Sequence, residues 1–326
     1  MKLSILDQSP ISTNQTAQEA LQESMNLARL GDTLGYSRYW IAEHHALPGL
    51  ACSVPEVMLG YIGANTKRIR IGSGAVLLPY YKPYKVAETY NLLSILFPNR
   101  IDVGIGRAPG GPAEASNALS DNYLQHVYKM PDLVKELIKY VDNEDAILQA
   151  SPLPEISPEL WMLGTSKKSA SFAAENGLAY CFGQFMSDDN GEEIIQHYRD
   201  SFQPRKNGQK PYVIMTLTVI CAETTQEAED IALSSIVWGL QRENGEGKQG
   251  VPSIEKAKEF QLNMGDQESI ERAKSKMIIG NPEKVKSKLM EIKSRVLADE
   301  IMIVTITYSP KDKHKSYQLI AEQCIE

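Results

Sequence analysis

Residues 69–105, IRIGSGAVLLPYYKPYKVAETYNLLSILFPNRIDVGI, contain the pattern that decides the fold. An apolar, β-rich run (69–78) precedes a helical stretch (84–96), which Pro98 and Asn99 end, and a second apolar run follows (101–105). Parallel strands need a crossover connection, usually a helix, and strands covered on both faces read as continuous apolar runs. The stretch therefore predicts one β/α unit of a parallel sheet.

The same alternation extends along the chain in both directions. Further strands, each followed by a predicted helix, are expected at residues 3–6, 39–42, 160–163, 178–182, 213–221 and 301–307. Eight such units match a (β/α)8 barrel, whereas an open doubly wound sheet usually has fewer strands. We therefore predict an α/β protein with a single TIM-barrel domain over residues 1–326.

Two capping-box patterns mark predicted helix starts. They are Thr16-x-x-Glu19 and Ser53-x-x-Glu56, in which a hydroxyl and a carboxylate three residues apart bond each other's backbone N–H groups. Gly35 is the predicted end of the first of these helices.

One segment interrupts this alternation of predicted strands and helices. Residues 242–250, RENGEGKQG, are polar and glycine-rich, and the last β/α cycle resumes only near residue 280. We predict that residues 241–279 form an insertion before that cycle. Such a segment is either an active-site lid or a disordered connection.

Composition excludes several classes of function. The chain has 34 Lys and Arg against 41 Asp and Glu, a net charge of −7, which argues against a nucleic-acid-binding surface. The apolar stretch 212–221 is too short to span a membrane, and Asp7 interrupts the apolar run that an export signal would need. The four cysteines form no C-x-x-C pair, so we expect no metal site and a reducing, cytoplasmic location.

Candidate site residues follow the strands, because active sites of TIM barrels lie at the carboxyl ends of the strands. Strand two ends at Glu43-His44-His45, and histidine is the usual general acid or base near neutral pH. The alternative is a structural histidine pair. Strand four ends in a glycine-rich turn with Arg107, a fixed cation suited to phosphate, or else a partner of a rim carboxylate.

Strands three and five add further candidates. Strand five ends at Gly164-Thr165-Ser166, where Ser166 caps the next helix and free N–H groups at the helix start can bind phosphate. The alternative is an ordinary capped turn. In strand three, Gly72 and Gly74 indicate either a bulge or a close approach of a ligand to the backbone.

Several segments, taken in this order, resemble the bacterial luciferase-like, flavin-dependent monooxygenases, which are (β/α)8 barrels. The chain looks most similar to the single-chain oxidoreductases of that family; light-emitting members carry a cysteine where this chain has Gly106. The matching segments include residues 6–10 (LDQSP), 39–45 (YWIAEHH), 71–79 (IGSGAVLLP), 85–88 (KVAE), 100–110 (RIDVGIGRAPG), 161–166 (WMLGTS) and 279–283 (IGNPE).

The resemblance implies FMN as the cofactor. Its phosphate is expected near Arg107 and the turn Gly164, Thr165 and Ser166, and its ring against strand three. A non-proline cis peptide is expected at Gly74–Ala75. His44 matches the histidine implicated in flavin–oxygen chemistry.

The resemblance also implies partners. A nicotinamide fingerprint G-x-G-x-x-G would need glycine where Pro109 stands, so reduced FMN is expected as a cosubstrate from a separate flavin reductase. The expected reaction is the oxygenation of a small, apolar organic substrate by a homodimer. Three alternatives are hydride transfer with a deazaflavin, a non-catalytic flavin-binding protein, and a barrel that binds another phosphate ester.

Overall fold

The computed structural model describes residues 1–144, 147–264 and 267–325 and confirms the predicted barrel. The strands of this part of the chain are β1 (Leu3–Asp7), β2 (Arg38–Ile41), β3 (Arg70–Leu77), β4 (Ile101–Gly106), β5 (Glu159–Gly164), β6 (Ala179–Phe182), β7 (Val213–Cys221), β8 (Ile278–Gly280) and β9 (Glu300–Val304).

Helices follow the strands, as the sequence predicts. They are α1 (Ala17–Leu34), α2 (Pro55–Ala64), α3 (Pro83–Leu96), α4 (Ala113–Leu119), α5 (Tyr123–Tyr128), α6 (Met130–Val141), α7 (Lys167–Glu175), α8 (Gly191–Ser201), α9 (Thr225–Glu243), α10 (Ile254–Met264), α11 (Gln267–Ser275), α12 (Pro282–Val296) and α13 (Pro310–Cys324). Among these, none combines the length and the apolar character that a membrane span needs.

The eight predicted strands close into one parallel ring. Its order is β1, β2, β3, β4, β5, β6, β7 and β9, and β9 pairs with β1 to complete it. Strand β8 was not predicted. It pairs with residues 219–221 of β7, beyond the part of β7 that pairs with β9, so it lies outside the ring.

Side chains fill the interior of the ring. Trp40 and Trp161 are both buried and meet edge to face, with ring centroids 5.3 Å apart. Apolar side chains from the other strands pack with them, namely Leu6, Cys181, Ile214, Met302 and Val304. The barrel is therefore a packed core, and a ligand site must lie at one of its ends.

The amino-terminal end of the ring is closed by a layer of charged side chains, which we term the floor network. The Asp102 carboxylate lies 2.9 Å from Arg38 and 2.6 Å from Arg70, while Arg38 also contacts Glu300 at 2.9 Å. Glu159, more loosely placed at 3.4 Å from Arg70, is the fifth member. Each of these residues lies at the start of its strand, so the network closes the end opposite to the candidate site.

The segment 241–279 contains the end of α9, the helices α10 and α11, and the start of β8. Ala257 of α10 and Ile270 of α11 are buried against α9 in a cluster separate from the main core. The described part of the segment is thus largely helical. Its role as a lid stays a prediction.

Candidate active site

The carboxyl ends of four neighbouring strands bring the predicted site residues to the same end of the barrel. His44 follows β2, the pair Gly74–Ala75 lies in β3, Arg107 follows β4, and Gly164 ends β5. The strands β2, β3, β4 and β5 are hydrogen-bonded to one another in this order and are all parallel. The structure therefore places the predicted residues on adjacent strands at one rim.

The Gly74–Ala75 peptide bond is cis, and the register of β3 on β4 shifts between Ser73 and Val76. A Cβ atom on Gly74 would lie 2.5 Å from Cδ1 of Leu6, and one on Gly106 would lie 3.0 Å from the Ala75 Cβ. A side chain at either glycine would require its neighbour to shift. The rim at β3 and β4 is consequently formed by backbone and small residues.

His44 presents an unsatisfied polar atom at this rim. Its Nδ1 is buried and has no hydrogen-bond partner among the described residues, while its backbone N–H donates to the Cys52 carbonyl at 3.0 Å. Burial, the Arg242 cation and His45 together lower the pKa of His44 from 6.5 to about 4. The imidazole is therefore neutral near pH 7, and its buried Nδ1 carries no hydrogen bond within the described residues.

His45 has a different environment from its neighbour. Its Nε2 lies 2.8 Å from Oε1 of the buried Glu43, which also accepts a hydrogen bond from the Tyr81 hydroxyl at 2.6 Å. The other Glu43 oxygen accepts from the Leu77 N–H at 3.0 Å. Glu43 thus ties the loop after β2 to the end of β3.

The structure therefore divides the histidine pair into two roles. His45 is a member of a hydrogen-bonded network, and His44 is the member with a buried nitrogen that has no hydrogen-bond partner within the described residues. Glu43 was not predicted as a site residue. Its only signal in the sequence is a carboxylate at the end of a buried strand, which does not by itself separate a structural from a catalytic group.

Arg107 lies at the start of the loop after β4 and is exposed. Its side chain forms no ion pair within the described residues, and its carbonyl accepts from the Tyr123 hydroxyl at 2.9 Å. The loop contacts the loop after β2, because the His45 N–H donates to the Gly110 carbonyl at 2.8 Å. The alternative of an Arg107 paired with a rim carboxylate has no support in this geometry.

The turn after β5 is a capped helix start, as predicted. Ser166 is the N-cap of α7, and its hydroxyl accepts from the Ser169 N–H at 3.4 Å. The N–H groups of the first turn have no partner within the helix itself. Gly164 is explained by packing, since a Cβ there would lie 2.2 Å from the Ser169 Oγ.

An apolar cluster separate from the barrel interior lies at this end of the barrel, and we term it the mouth cluster. Its residues come from the loop after β2, from α9 with the segment beyond it, and from the chain after β9, namely Leu47, Leu50, Trp238, Val251, Ile306 and Tyr308. The Val251 N–H donates to the Ile11 carbonyl at 2.9 Å. The segment after α9 therefore borders the same end of the barrel as His44.

No group of three or more potential metal ligands exists among the described residues. The donors at this rim are instead an imidazole, a guanidinium and helix N–H groups. A guanidinium and helix N–H groups are donors that suit an anionic group.

Comparison with known proteins gives relatives along the whole chain. A family described as luciferase-like monooxygenase matches residues 1–299. The chain is 40% identical to the uncharacterized protein YceB of Bacillus subtilis (98% of both chains covered). It is 34% identical to N-acetyl-S-alkylcysteine monooxygenase of the same organism (99% and 98% covered).

Solved structures agree with this result. Apo-MsnO8 has a TM-score of 0.90 at 32% identity, with 99% of this chain and 98% of that chain covered. The FMN complex of the oxygenating constituent of 3,6-diketocamphane monooxygenase from Pseudomonas putida has a TM-score of 0.71 at 18% identity (99% and 97% covered). An F420-dependent secondary alcohol dehydrogenase also has a TM-score of 0.71, at 14% identity (100% of both chains covered). The last two show likeness of fold.

Proposed function

The chain belongs to the luciferase-like monooxygenase family and is an oxidoreductase, and we propose that it is the oxygenase of a two-component system. In this proposal a separate flavin reductase delivers reduced FMN, and the chain oxygenates a small organic substrate. The observation that carries the proposal is the buried, unpartnered Nδ1 of His44, at the end of the barrel where the phosphate-binding candidates also lie.

The residues of the β4 and β5 ends fit a phosphate group. Arg107 is an exposed guanidinium without a carboxylate partner in the described chain, and the neighbouring turn Gly164, Thr165 and Ser166 leads into the N-terminus of α7. Guanidinium and helix N–H groups are two recurrent phosphate donors. We assign the FMN phosphate to these residues, and the flavin ring to the small-residue surface at Gly74 and Ala75.

Reduced FMN, when bound, supplies the electrons that activate dioxygen. The residues of the chain itself position the bound groups and accept or donate hydrogen bonds. His44 is neutral near pH 7, so its Nδ1 can accept or, as the other tautomer, donate a hydrogen bond at the rim. Glu43 and His45 fix the loop that carries His44, and the mouth cluster keeps water from one side of the site.

The proposal extends to residues 241–279, which we regard as an insertion in one barrel domain that covers the mouth as a lid. The backbone bonds of Val251 to the loop after β1 support this position.

The proposal also includes a homodimer formed through α2 and α3. These helices carry exposed apolar side chains, of which Val57 is 70% and Leu96 58% exposed. Exposed apolar side chains on two neighbouring helices are typical of an interaction site. Sedimentation of the wild type as a dimer, and of Val57→Asp as a monomer, is the expected result.

The proposal also includes a reducing, cytoplasmic location. All four cysteines are free and buried, which fits a compartment where thiols stay reduced.

The phosphate assignment is tested by comparing FMN with riboflavin, which lacks the phosphate. Arg107→Ala should weaken FMN binding about tenfold or more and riboflavin binding less than about twofold, because a charge-assisted contact is lost only with FMN. Arg29→Ala, on the exposed face of α1, is the matched control and should change neither affinity. Equal losses for both flavins in Arg107→Ala would refute the assignment.

The deazaflavin alternative is tested in the same titration. Saturable binding of coenzyme F420 without binding of FMN would favour hydride transfer. Binding of FMN without any substrate-dependent oxygen consumption, in a screen with added reductase, would favour a non-catalytic flavin-binding protein.

A further inference from the structure

Arg242 is held in a fixed position in the last turn of α9. Its guanidinium carbon lies 4.9 Å from the centre of the Trp238 ring. In addition, a Cβ atom on Gly247 would lie 2.3 Å from the Arg242 Cγ, so the backbone of Gly247 lies close to this side chain. Trp238 is itself fixed, because its Nε1–H donates to the Gly247 carbonyl at 3.1 Å.

This arginine lacks a counter-ion within the described part of the chain. Arg38, Arg70 and Arg199 all contact carboxylates, whereas Arg242 forms no ion pair there. Arg242 is an exposed residue, although partial desolvation of its guanidinium lowers its pKa below the ordinary value. A cation that has lost part of its hydration without gaining a carboxylate is a ready binding group for an anion.

Arg242 lies close to the loop that carries His44. Trp238, on which the guanidinium stacks, packs so closely on Gly49 that a Cβ there would lie 2.6 Å from the Trp238 ring. Gly49 belongs to the loop after β2, which also carries His44. The effect of the Arg242 cation on the pKa of His44 agrees with this proximity.

The surface beside Arg242 is apolar. Trp238 is a member of the mouth cluster, in which it packs with Leu50 and Val251. The surface near the loop of His44 thus combines the exposed Arg242 guanidinium with aliphatic and aromatic side chains. A ligand that matches both has an apolar body and a single anionic group.

We propose that Arg242 binds a carboxylate of the substrate, so that the enzyme acts on small organic acids with an apolar body. The inference rests on the proposed function and deepens it. A carboxylate fits because its two oxygens match the planar donors of a guanidinium. The FMN phosphate has its own donors at the ends of β4 and β5, whereas Arg242 lies beside the loop after β2.

The test uses two carboxylates, 4-phenylbutanoate and N-acetyl-S-benzylcysteine, each paired with its neutral methyl ester. Isothermal titration of the FMN-loaded protein should show at least one acid binding about tenfold more tightly than its ester. Arg242→Gln should abolish this preference with little change in ester affinity, and Arg242→Lys should retain part of it. Lys248→Gln, which removes the same charge from the same segment, should behave as the wild type.

Three results would overturn the proposal. They are the absence of any preference for acid over ester in the wild type, a preference that survives in Arg242→Gln, and a selective loss of FMN over riboflavin in Arg242→Gln, which would assign Arg242 to the cofactor. Because Arg242→Gln should keep the FMN affinity of the wild type, failure of this inference is separable from failure of the proposed function. Failure of the proposed function would appear as an absence of flavin binding in every variant.

Discussion

His44 and His45 show how far single residues could be predicted. Their place at the end of a strand indicated a site, and the resemblance singled out His44. The partners of His45, which are Glu43 and through it Tyr81 and Leu77, become neighbours only when β2 and β3 pair. The sequence therefore located the pair but could not divide the two roles on physical grounds.

The lowered pKa of His44 has a consequence for stability. In the unfolded chain the imidazole takes up a proton near pH 6.5, whereas in the folded protein it does so only near pH 4. Between these values the unfolded state binds more protons, so the free energy of unfolding decreases as the pH falls through this window. His44→Gln should remove this contribution and lose less stability than the wild type between pH 7 and pH 4.

Denaturant unfolding at a series of pH values measures the effect. His197→Gln, on α8 and away from the barrel mouth, should retain the wild-type pH dependence. An unchanged pH dependence in His44→Gln would show that the imidazole is not the buried neutral group described above.

At the scale of the elements, two similar sequence patterns have different outcomes. Thr16 caps α1 as predicted, with its hydroxyl bonded to the Glu19 N–H and the Glu19 carboxylate bonded to the Thr16 N–H. The prediction for Ser53 was wrong. Helix α2 begins at Pro55, so its N-cap is Val54, which forms no side-chain cap. Pro55 fixes the first helical position and leaves Ser53 one residue outside the cap.

This difference predicts unequal effects of two alanine substitutions. Thr16→Ala should lower the free energy of unfolding by about 1 kcal/mol, because it removes an N-cap bond. Ser53→Ala is the matched control and should lower it by less than about 0.5 kcal/mol. Equal losses, measured by denaturant unfolding, would contradict the assignment of the caps.

The structure of the chain near residue 242 could not be predicted from the sequence pattern either. The polar, glycine-rich stretch predicted a break, yet α9 continues to Glu243 and the chain forms α10 and α11 beyond it. These helices bury Ala257 and Ile270 against α9, a contact between segments that periodicity does not reveal.

At the scale of the whole molecule, the ring of eight strands was predicted because each β/α unit is a local pattern. The floor network was not. Its five charged residues begin five different strands between residues 38 and 300, so no spacing in the sequence connects them. Although burial opposes ionisation, Arg38 and Arg70 hold the pKa of Asp102 below its ordinary value.

The floor network predicts a large effect of one substitution. Asp102→Asn leaves Arg38 and Arg70 short of a buried counter-ion, and breaking a buried pair in this way costs about 3–5 kcal/mol of unfolding free energy. Glu159→Gln, at a side chain that is 53% exposed, should cost less than about 1 kcal/mol. If thermal and denaturant unfolding give similar losses for both variants, the network does not contribute as described.

The cofactor was predicted from strand-end residues and, above all, from resemblance, because no fold by itself specifies a ligand. The central claim is that the barrel mouth binds reduced FMN. Its most direct test is an anaerobic equilibrium titration of the wild-type protein with reduced FMN, followed by absorbance and fluorescence, with oxidised FMN in parallel. We expect saturable binding of reduced FMN with one site per chain. The absence of a saturable spectral change with either form of FMN would contradict it.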